Sequence, residues 1–497
     1  MDVSHAGRSP HDEYPLEGPS LHLNPRERQD VWKQVGDAIE SFTADLPRLR
    51  ISPSGTPDQV RALLAGIDFR RPMAPADAVA FVVGGLRDHQ VHCGHPSYFG
   101  LFNPAAATMG VAADALVAAF NPQLAAWSHA PFPCEVEELM TRELAARIGY
   151  GPGAGGSFTA GGAESNHMAV LMALRHAFPT FREHGVRSLP GQPTLYVSPE
   201  GHHSVVKAAR FCGLGDASVR TVTTDEHGRA RPAALAQQVE SDRQRGDLPF
   251  LVVATAGTTS AGFIDPIRGL ADVATRTHLW LHTDAAWAGA AALVPDLKPH
   301  FDGLERSDSL SIDAHKWLSV PMAAGVFLTR HRDLMESAFG VDATYMPVSS
   351  RERIVEPHRV SIQWTRRFIG LKLFLTLLVA GWEGYESMIR NMVRLGSTLR
   401  ARLEARDWRV VNATPLPVVC FQNAHQGSGS PAEDARAIVE RVQARGQAWV
   451  SLVELGGRIL AIRACISNFR NDEHSIDVLM DELETARSQA DLPPLRA

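Results

Sequence analysis

From residue 194 onward one rhythm governs the chain. Short β-rich runs, "TLYVS" (194–198), "FLVVAT" (250–255), "LWLHTD" (279–284), "SLSIDA" (309–314) and "AGVFLTR" (324–330), alternate with amphipathic helical patterns such as Ala233–Glu240 and Leu270–Thr275. A strand followed by a helix before the next strand cannot close a tight hairpin. It builds a mostly parallel sheet covered by helices on both faces, an α/β fold. That constraint also says where to look for chemistry: in open α/β sheets ligands sit beyond the carboxyl ends of the strands.

The flanks read differently. Residues 1 to about 25 are polar and Pro-rich, without the apolar core of a signal peptide, and are expected to be disordered or wrapped along a surface. In "RQDVWKQVGDAIESFTADL", Val31, Val35, Ala38, Ile39 and Phe42 share one helical face, and two or three further helices fill the span to about Val91. The run 368–405 reads as long helices broken at Gly381. After it come strand-like "WRVVN", "LPVVCFQN" and "ILAIRACISN", a helix near 432–446 and a closing helix from about 474. The expected organisation is an N-terminal helical segment (1–90), a large domain (91–385) and a small α+β domain (386–497).

Composition excludes several classes. A net charge of −6 gives no basic surface for nucleic acid or an anionic membrane. No apolar run approaches the 18 or so residues of a membrane span. The five cysteines are odd in number and far apart, which reads as free thiols in a reducing compartment, hence a cytoplasmic protein. The 21 histidines are scattered, so no metal site is expected.

Three stretches carry chemistry. In "GSFTAGGAESNHMAVLMALRHAF" (156–178), Gly161 and Gly162 open a helix whose N-terminus offers free N–H groups and a positive dipole end to a phosphate or carboxylate. In "LWLHTDAAW" (279–287), an apolar strand ends at Asp284, where an acid can face a bound ring. In "SIDAHKW" (311–317), Lys316 ends another strand. Aromatic and apolar neighbours would strip solvation from its charged form and free a neutral amine for Schiff-base chemistry. Singly, each has an ordinary explanation: a turn, a capping aspartate, a snorkelling lysine. Together, a phosphate-binding helix start, an acid for a ring nitrogen and a reactive lysine are what pyridoxal 5′-phosphate requires.

With these residues the sequence resembles the group II pyridoxal-phosphate-dependent amino-acid decarboxylases, the family of the aromatic-amino-acid, histidine and glutamate decarboxylases. The resemblance runs from about residue 30 to 485. It is carried in family order by "HPSYFGLFNP" (95–104), "FTAGGAESN" (158–166), "SPEGHHSVVKAA" (198–209), "ATAGTTSAGFID" (254–265), "WLHTDAAWAG" (280–289), "DSLSIDAHKW" (308–317) and "IRACISNFRNDEHSID" (462–477). It implies the type I, aspartate-aminotransferase-like fold and a homodimer. Lys316 would carry the cofactor covalently, with His315 and Asp313 near the phosphate side. Ala163 and Glu164 would give backbone N–H groups to the phosphate. His202 would stack on the pyridine ring, with neighbouring His203 as the alternative. Asp284 would pair with the ring nitrogen, Ala286 would pack on the ring, and Thr259 would lie near cofactor or substrate carboxylate. Arg463 matches an arginine near the substrate carboxylate in the glutamate branch. Leu101, Phe102, Asn103 and Pro104 would line one wall of the substrate pocket, and Ala125 and Trp127, with His129 near, another; Phe102 and Trp127 fit plain core equally well.

One departure bears on the product. The family's mobile loop carries a tyrosine that protonates Cα. Here Tyr345 and Gln363 anchor that loop, but 346–363 contains no tyrosine, and Arg359, beside His358, stands where it would fall. His358 is the substitute donor this reading offers. Relatives without the tyrosine can instead run oxidative decarboxylation–deamination to an aldehyde, ammonia and peroxide. Three readings therefore stand: a decarboxylase giving amine and CO2, an aldehyde-forming enzyme on the same scaffold, and a cofactor-binding partner subunit without turnover. The complete set of Lys316, Asp284 and His202 argues against the last.

Overall fold

The computed structural model describes residues 21–53, 55–342, 354–424 and 430–489. Tyr345 lies outside them, as does most of the N-terminal stretch expected to be disordered. The chain divides into two compact units between His92 and Cys93.

The first unit is helical. Its leading helix, Pro25–Asp45, starts where Asn24 accepts the N–H groups of Arg26 and Glu27 while Glu27 reaches back to the Asn24 N–H. Helices Pro57–Ala65 and Pro75–Asp88 follow, each opened by a proline whose missing N–H costs nothing there. Trp32, Ile39, Leu64, Val82 and Leu86 stay exposed, and none of the three helices holds a buried residue.

The second unit is built on seven strands: β1 (Gly155–Thr159), β2 (Pro193–Val197), β3 (Val219–Thr221), β4 (Leu248–Thr255), β5 (Trp280–Asp284), β6 (Ser309–Asp313) and β7 (Gly325–Thr329). Their order is β1-β7-β6-β5-β4-β2-β3. Strand β7 runs antiparallel to both its neighbours and every other pairing is parallel. Burial on both faces explains the near-continuous apolar runs of β4 and β7. A smaller antiparallel sheet follows, made of β8 (Trp408–Val410), β9 (Val418–Asn423), β10 (Ser451–Leu455) and β11 (Ile459–Cys465) in the order β10-β11-β9-β8. The expected break at Gly381 is present: its φ of 61° interrupts helix Leu371–Glu404. That helix runs through residue 386, where a domain boundary was expected. Its buried residues share one apolar core with both sheets, so 93–497 pack as a single unit. Among the described residues no helix is long and apolar enough to cross a membrane.

Candidate active site

Parallel strands β4, β5 and β6 end along one edge, at Thr255, Asp284 and Asp313. Helix Gly162–Ala177, which follows β1, begins at the same edge. Between them lies a cavity of about 230 Å³, lined among others by Gly161, Gly162, Ala163, His202, Thr259, Asp284, Ala286, Asp313, His315 and Lys316. Eight of the positions singled out in the sequence for the cofactor thus meet in one place.

Lys316 differs from expectation in how it is held. Trp317 turns into the core, fully buried, rather than covering the amine. The Lys316 Nζ lies 2.9 Å from Asp313 Oδ2 and stays partly accessible to the cavity, so an anionic partner rather than an apolar shell holds it. The same carboxylate oxygen stands 3.8 Å from His315 Nε2, and the Ala324 N–H donates to His315 Nδ1 at 3.0 Å. Burial pushes the His315 pKa below its ordinary value, against the pull of Asp313. A second buried lysine, Lys372, is no rival, since its Nζ is committed to the carbonyls of Pro321 and Met322 and to Asp114.

Asp284 is a buried carboxylate with a full set of donors. Asn166 Nδ2 donates to its Oδ2 at 2.7 Å; Ser311 Oγ and the Ala286 N–H donate to its Oδ1 at 3.0 and 3.1 Å. Burial alone would raise its pKa, but the Asn166 hydrogen bond and the neighbouring His282, Lys316 and His202 outweigh it and hold the carboxyl below its ordinary value. His202 also lines the cavity; its Nδ1 meets Ser204 Oγ at 2.7 Å, and burial lowers this ring's pKa too. His203 does not line the cavity, which leaves His202 as the ring facing it.

The cavity fits a phosphorylated aldehyde with a basic ring nitrogen. Thr255 Oγ1 and Asp313 Oδ1 are buried and have no hydrogen-bond partner among the described residues. Gly162 and Ala163 form the first helical turn, whose N–H groups have no intrahelical acceptor. A Cβ on Gly162 would stand 3.0 Å from Ala286 Cβ and 3.2 Å from Asp313 Oδ2, so the glycine keeps this corner open. Glu164 plays a different part from the one expected: its N–H is turned to Gly161 O, and its carboxylate accepts from the Ala160 N–H and from Gln363.

Other sequence candidates stand apart. Phe102 is buried and stacks on Trp287, a cavity residue, with ring centroids 4.1 Å apart. Arg463 lies just behind the cavity and donates to Thr259 O at 2.5 Å, to Gly100 O at 3.1 Å and to Ser451 Oγ at 3.1 Å. Leu101, Asn103 and Trp127 do not line it: Leu101 faces solvent, Asn103 meets Met322, and Trp127 is tied to Glu135 and Glu356. His358 is buried outside it, with Nδ1 2.8 Å from Ala125 O and its ring 5.1 Å from Trp364. Arg359 pairs with Glu336 and Asp342. The sequence reading missed Asn166, Ser204, His282 and Ser311. All four stood inside quoted motifs, but nothing in a linear sequence marks a polar residue that acts through another.

A lysine, an ionised aspartate and a histidine gathered beside an open helix start, at the carboxyl edge of a mostly parallel sheet, define a class: type I fold enzymes that work with pyridoxal 5′-phosphate. The profile of the pyridoxal-dependent decarboxylase conserved domain matches residues 85–424, and the chain belongs to that family. The protein is a pyridoxal-phosphate-dependent amino-acid decarboxylase. It is 28% identical over 468 residues to the aromatic-L-amino-acid decarboxylase of Bacillus atrophaeus, covering 93% of this chain and 96% of the relative. It is 30% identical over 410 residues to the cysteine sulfinic acid decarboxylase of Homo sapiens, covering 80% and 83%. A crystal structure of mouse CSAD superposes with a TM-score of 0.87 at 26% identity, covering 93% of this chain and 99% of the other.

Proposed function

We propose that the protein converts an L-amino acid to its amine and CO2. The observation that carries this reading is the meeting of Lys316, Asp284, His202 and Asp313 on one cavity. When bound, pyridoxal 5′-phosphate supplies a protonated ring that takes up the electron pair left by the departing carboxylate. The chain supplies the rest. Asp284, held ionised by Asn166, keeps the proton on the ring nitrogen, since a close opposite charge favours the charged form. The open first turn at Gly162 and Ala163 binds the phosphate, and Asp313 and His315 order the segment beside it. His202 and Ala286 line the cavity and would hold the ring, and Thr259, backed by Arg463, would meet the carboxylate. The proton that completes Cα is assigned to Lys316 Nζ, which faces the cavity, in preference to His358, which lies outside it and is engaged with Ala125.

Exposed Phe120, Phe132, Leu378 and Val379, together with the apolar residues left open on the first unit, support a homodimer. Five free cysteines support a reducing, cytoplasmic setting. We read 386–497 as a small lobe of the cofactor-binding body.

The missing loop tyrosine favours a second reading, in which oxygen reaches Cα before a proton does and the product is an aldehyde. Product analysis under air decides between them: amine is expected, and stoichiometric aldehyde with peroxide and ammonia would promote the second reading.

A further inference from the structure

Beneath the cavity a chain of buried polar groups runs back along β5. Trp280 Nε1 lies 2.9 Å from Ser309 Oγ; Ser309 Oγ lies 2.8 Å from His282 Nδ1; His282 Nε2 lies 2.9 Å from Asn166 Oδ1; and Asn166 Nδ2 lies 2.7 Å from Asp284 Oδ2. A branch leaves Asn166 Nδ2 for Ser204 Oγ at 2.8 Å and ends on His202 Nδ1 at 2.7 Å.

The two ends of this chain fix its direction. An indole N–H can only donate, and an ionised carboxylate can only accept. Ser309 accepts from Trp280, a contact that leaves its hydroxyl free to accept again or to donate; it turns its own proton to His282 Nδ1 because the Asp284 end of the chain leaves that nitrogen bare. Asn166 must face Asp284 with its NH2, which sets its carbonyl oxygen against His282 Nε2, so that nitrogen must carry the ring proton. The reverse tautomer would put two acceptors 2.9 Å apart in a site without exposure. The second Asn166 N–H goes to Ser204, whose hydroxyl then donates to His202 Nδ1, and the Ser204 N–H points at the same nitrogen. His202 is left offering Nε2–H to the cavity.

We infer that His282 and Asn166 are positioning residues: a one-way hydrogen-bond relay, started at Trp280, that fixes the amide holding Asp284 and the tautomer of His202 together. Burial keeps His282 neutral, with a pKa pushed down to about 4, so the relay holds one direction through neutral pH. Its consequence for catalysis rests on the reading that Asp284 and His202 flank the cofactor.

The test has two arms. In cofactor-free protein labelled with 15N-histidine, with His282 assigned by comparison with His282→Gln, the account expects a protonated Nε2 and a bare Nδ1 on His282; a protonated Nδ1 overturns the relay. In the loaded protein, His282→Phe should speed cofactor dissociation about 10–100-fold, as loss of an outer-shell partner does at metal sites, while His282→Gln, which keeps one donor and one acceptor, stays within about threefold. Ser309→Ala gives the same readout should the phenylalanine variant not fold. Phe327→Leu, which disturbs the ring packed on His282 without touching the polar chain, is the control. Equal loosening by Phe327→Leu at a matched loss of melting temperature, or unchanged retention in His282→Phe, would refute the positioning role. An error in the role given to Asp284 leaves the cofactor-free result intact and so shows itself separately.

Discussion

Asp284→Asn is the substitution whose outcome the structure constrains most tightly. Oδ1 of Asp284 takes two donors, Ser311 Oγ and the Ala286 N–H, and Oδ2 takes one, Asn166 Nδ2. In the variant the side-chain oxygen stays where two donors converge, and the new NH2 is driven against the Asn166 NH2. Leaving one of these buried donors unsatisfied costs about 1–3 kcal/mol. Turning Asn166 over would relieve that contact only by setting its NH2 against His282 Nε2–H and its oxygen toward Ser204. The fold should survive with a melting temperature lower by a few degrees, since removing a buried charge also removes its desolvation cost. Activity should suffer more. Loss of a preorganised electrostatic partner costs about 10²–10³ in turnover, or about 2.7–4 kcal/mol, and in the proposed site this anion is the one that would keep the ring nitrogen protonated. The assay is CO2 release from a panel of amino acids at saturating added pyridoxal 5′-phosphate, so that weaker cofactor binding is not read as slower chemistry. A loss of at least two orders of magnitude is expected. Turnover near that of the unmodified protein would mean that another group holds the ring nitrogen.

Other outcomes follow from named contacts. Arg366 and Glu137 form a buried ion pair, and Glu137 also accepts the Gly370 N–H, so Glu137→Ala should cost about 3–5 kcal/mol in denaturant unfolding; a change under ~1 kcal/mol would show the pair is not held in the folded state. Buried His282 has its pKa lowered from 6.5 to about 4, so the unfolded chain takes up a proton that the folded one refuses. Its contribution is fully present above pH 6.5 and is lost as pH falls towards about 4, on the order of 3 kcal/mol, with His202 and His315 shifted the same way. The melting temperature should fall over that window less steeply in His282→Gln; identical slopes would contradict the assignment. His358→Phe should leave the ratio of amine to aldehyde unchanged, and a rise in aldehyde would return the proton-donor role to His358.

The alternation of strand and helix was legible because burial on both faces of a parallel sheet favours apolar runs, nearly continuous in β4 and β7, while β2, β5 and β6 keep enough β-branched, aromatic and leucine residues to read as strands despite the polar His282, Ser309 and Ser311. Strand β1 was not, because "GGSFT" reads as a turn. Its Gly156 is there for space, since a Cβ would stand 2.3 Å from Phe327 O on the neighbouring strand. Strand β10 hid behind Gly456 and Gly457, whose φ angles of 55° and 64° turn a tight hairpin into β11. Within the site, residues that touch the cavity through motif positions were readable. Leu101, Asn103, Trp127 and His358 were not placed correctly with respect to it, because their positions depend on loops whose course no periodicity records. Lys316 lines the cavity in surroundings other than those expected: its partner is Asp313, three residues earlier at the end of β6, rather than an apolar shell.

The central claim is that Lys316 is the residue that holds the cofactor. Borohydride reduction of the loaded protein fixes pyridoxal 5′-phosphate to the lysine that carries it, and peptide mapping then locates the added mass. The account predicts one labelled peptide, containing "IDAHKW", with the modification on Lys316. A label on Lys207 or Lys372, or none on Lys316, would contradict it.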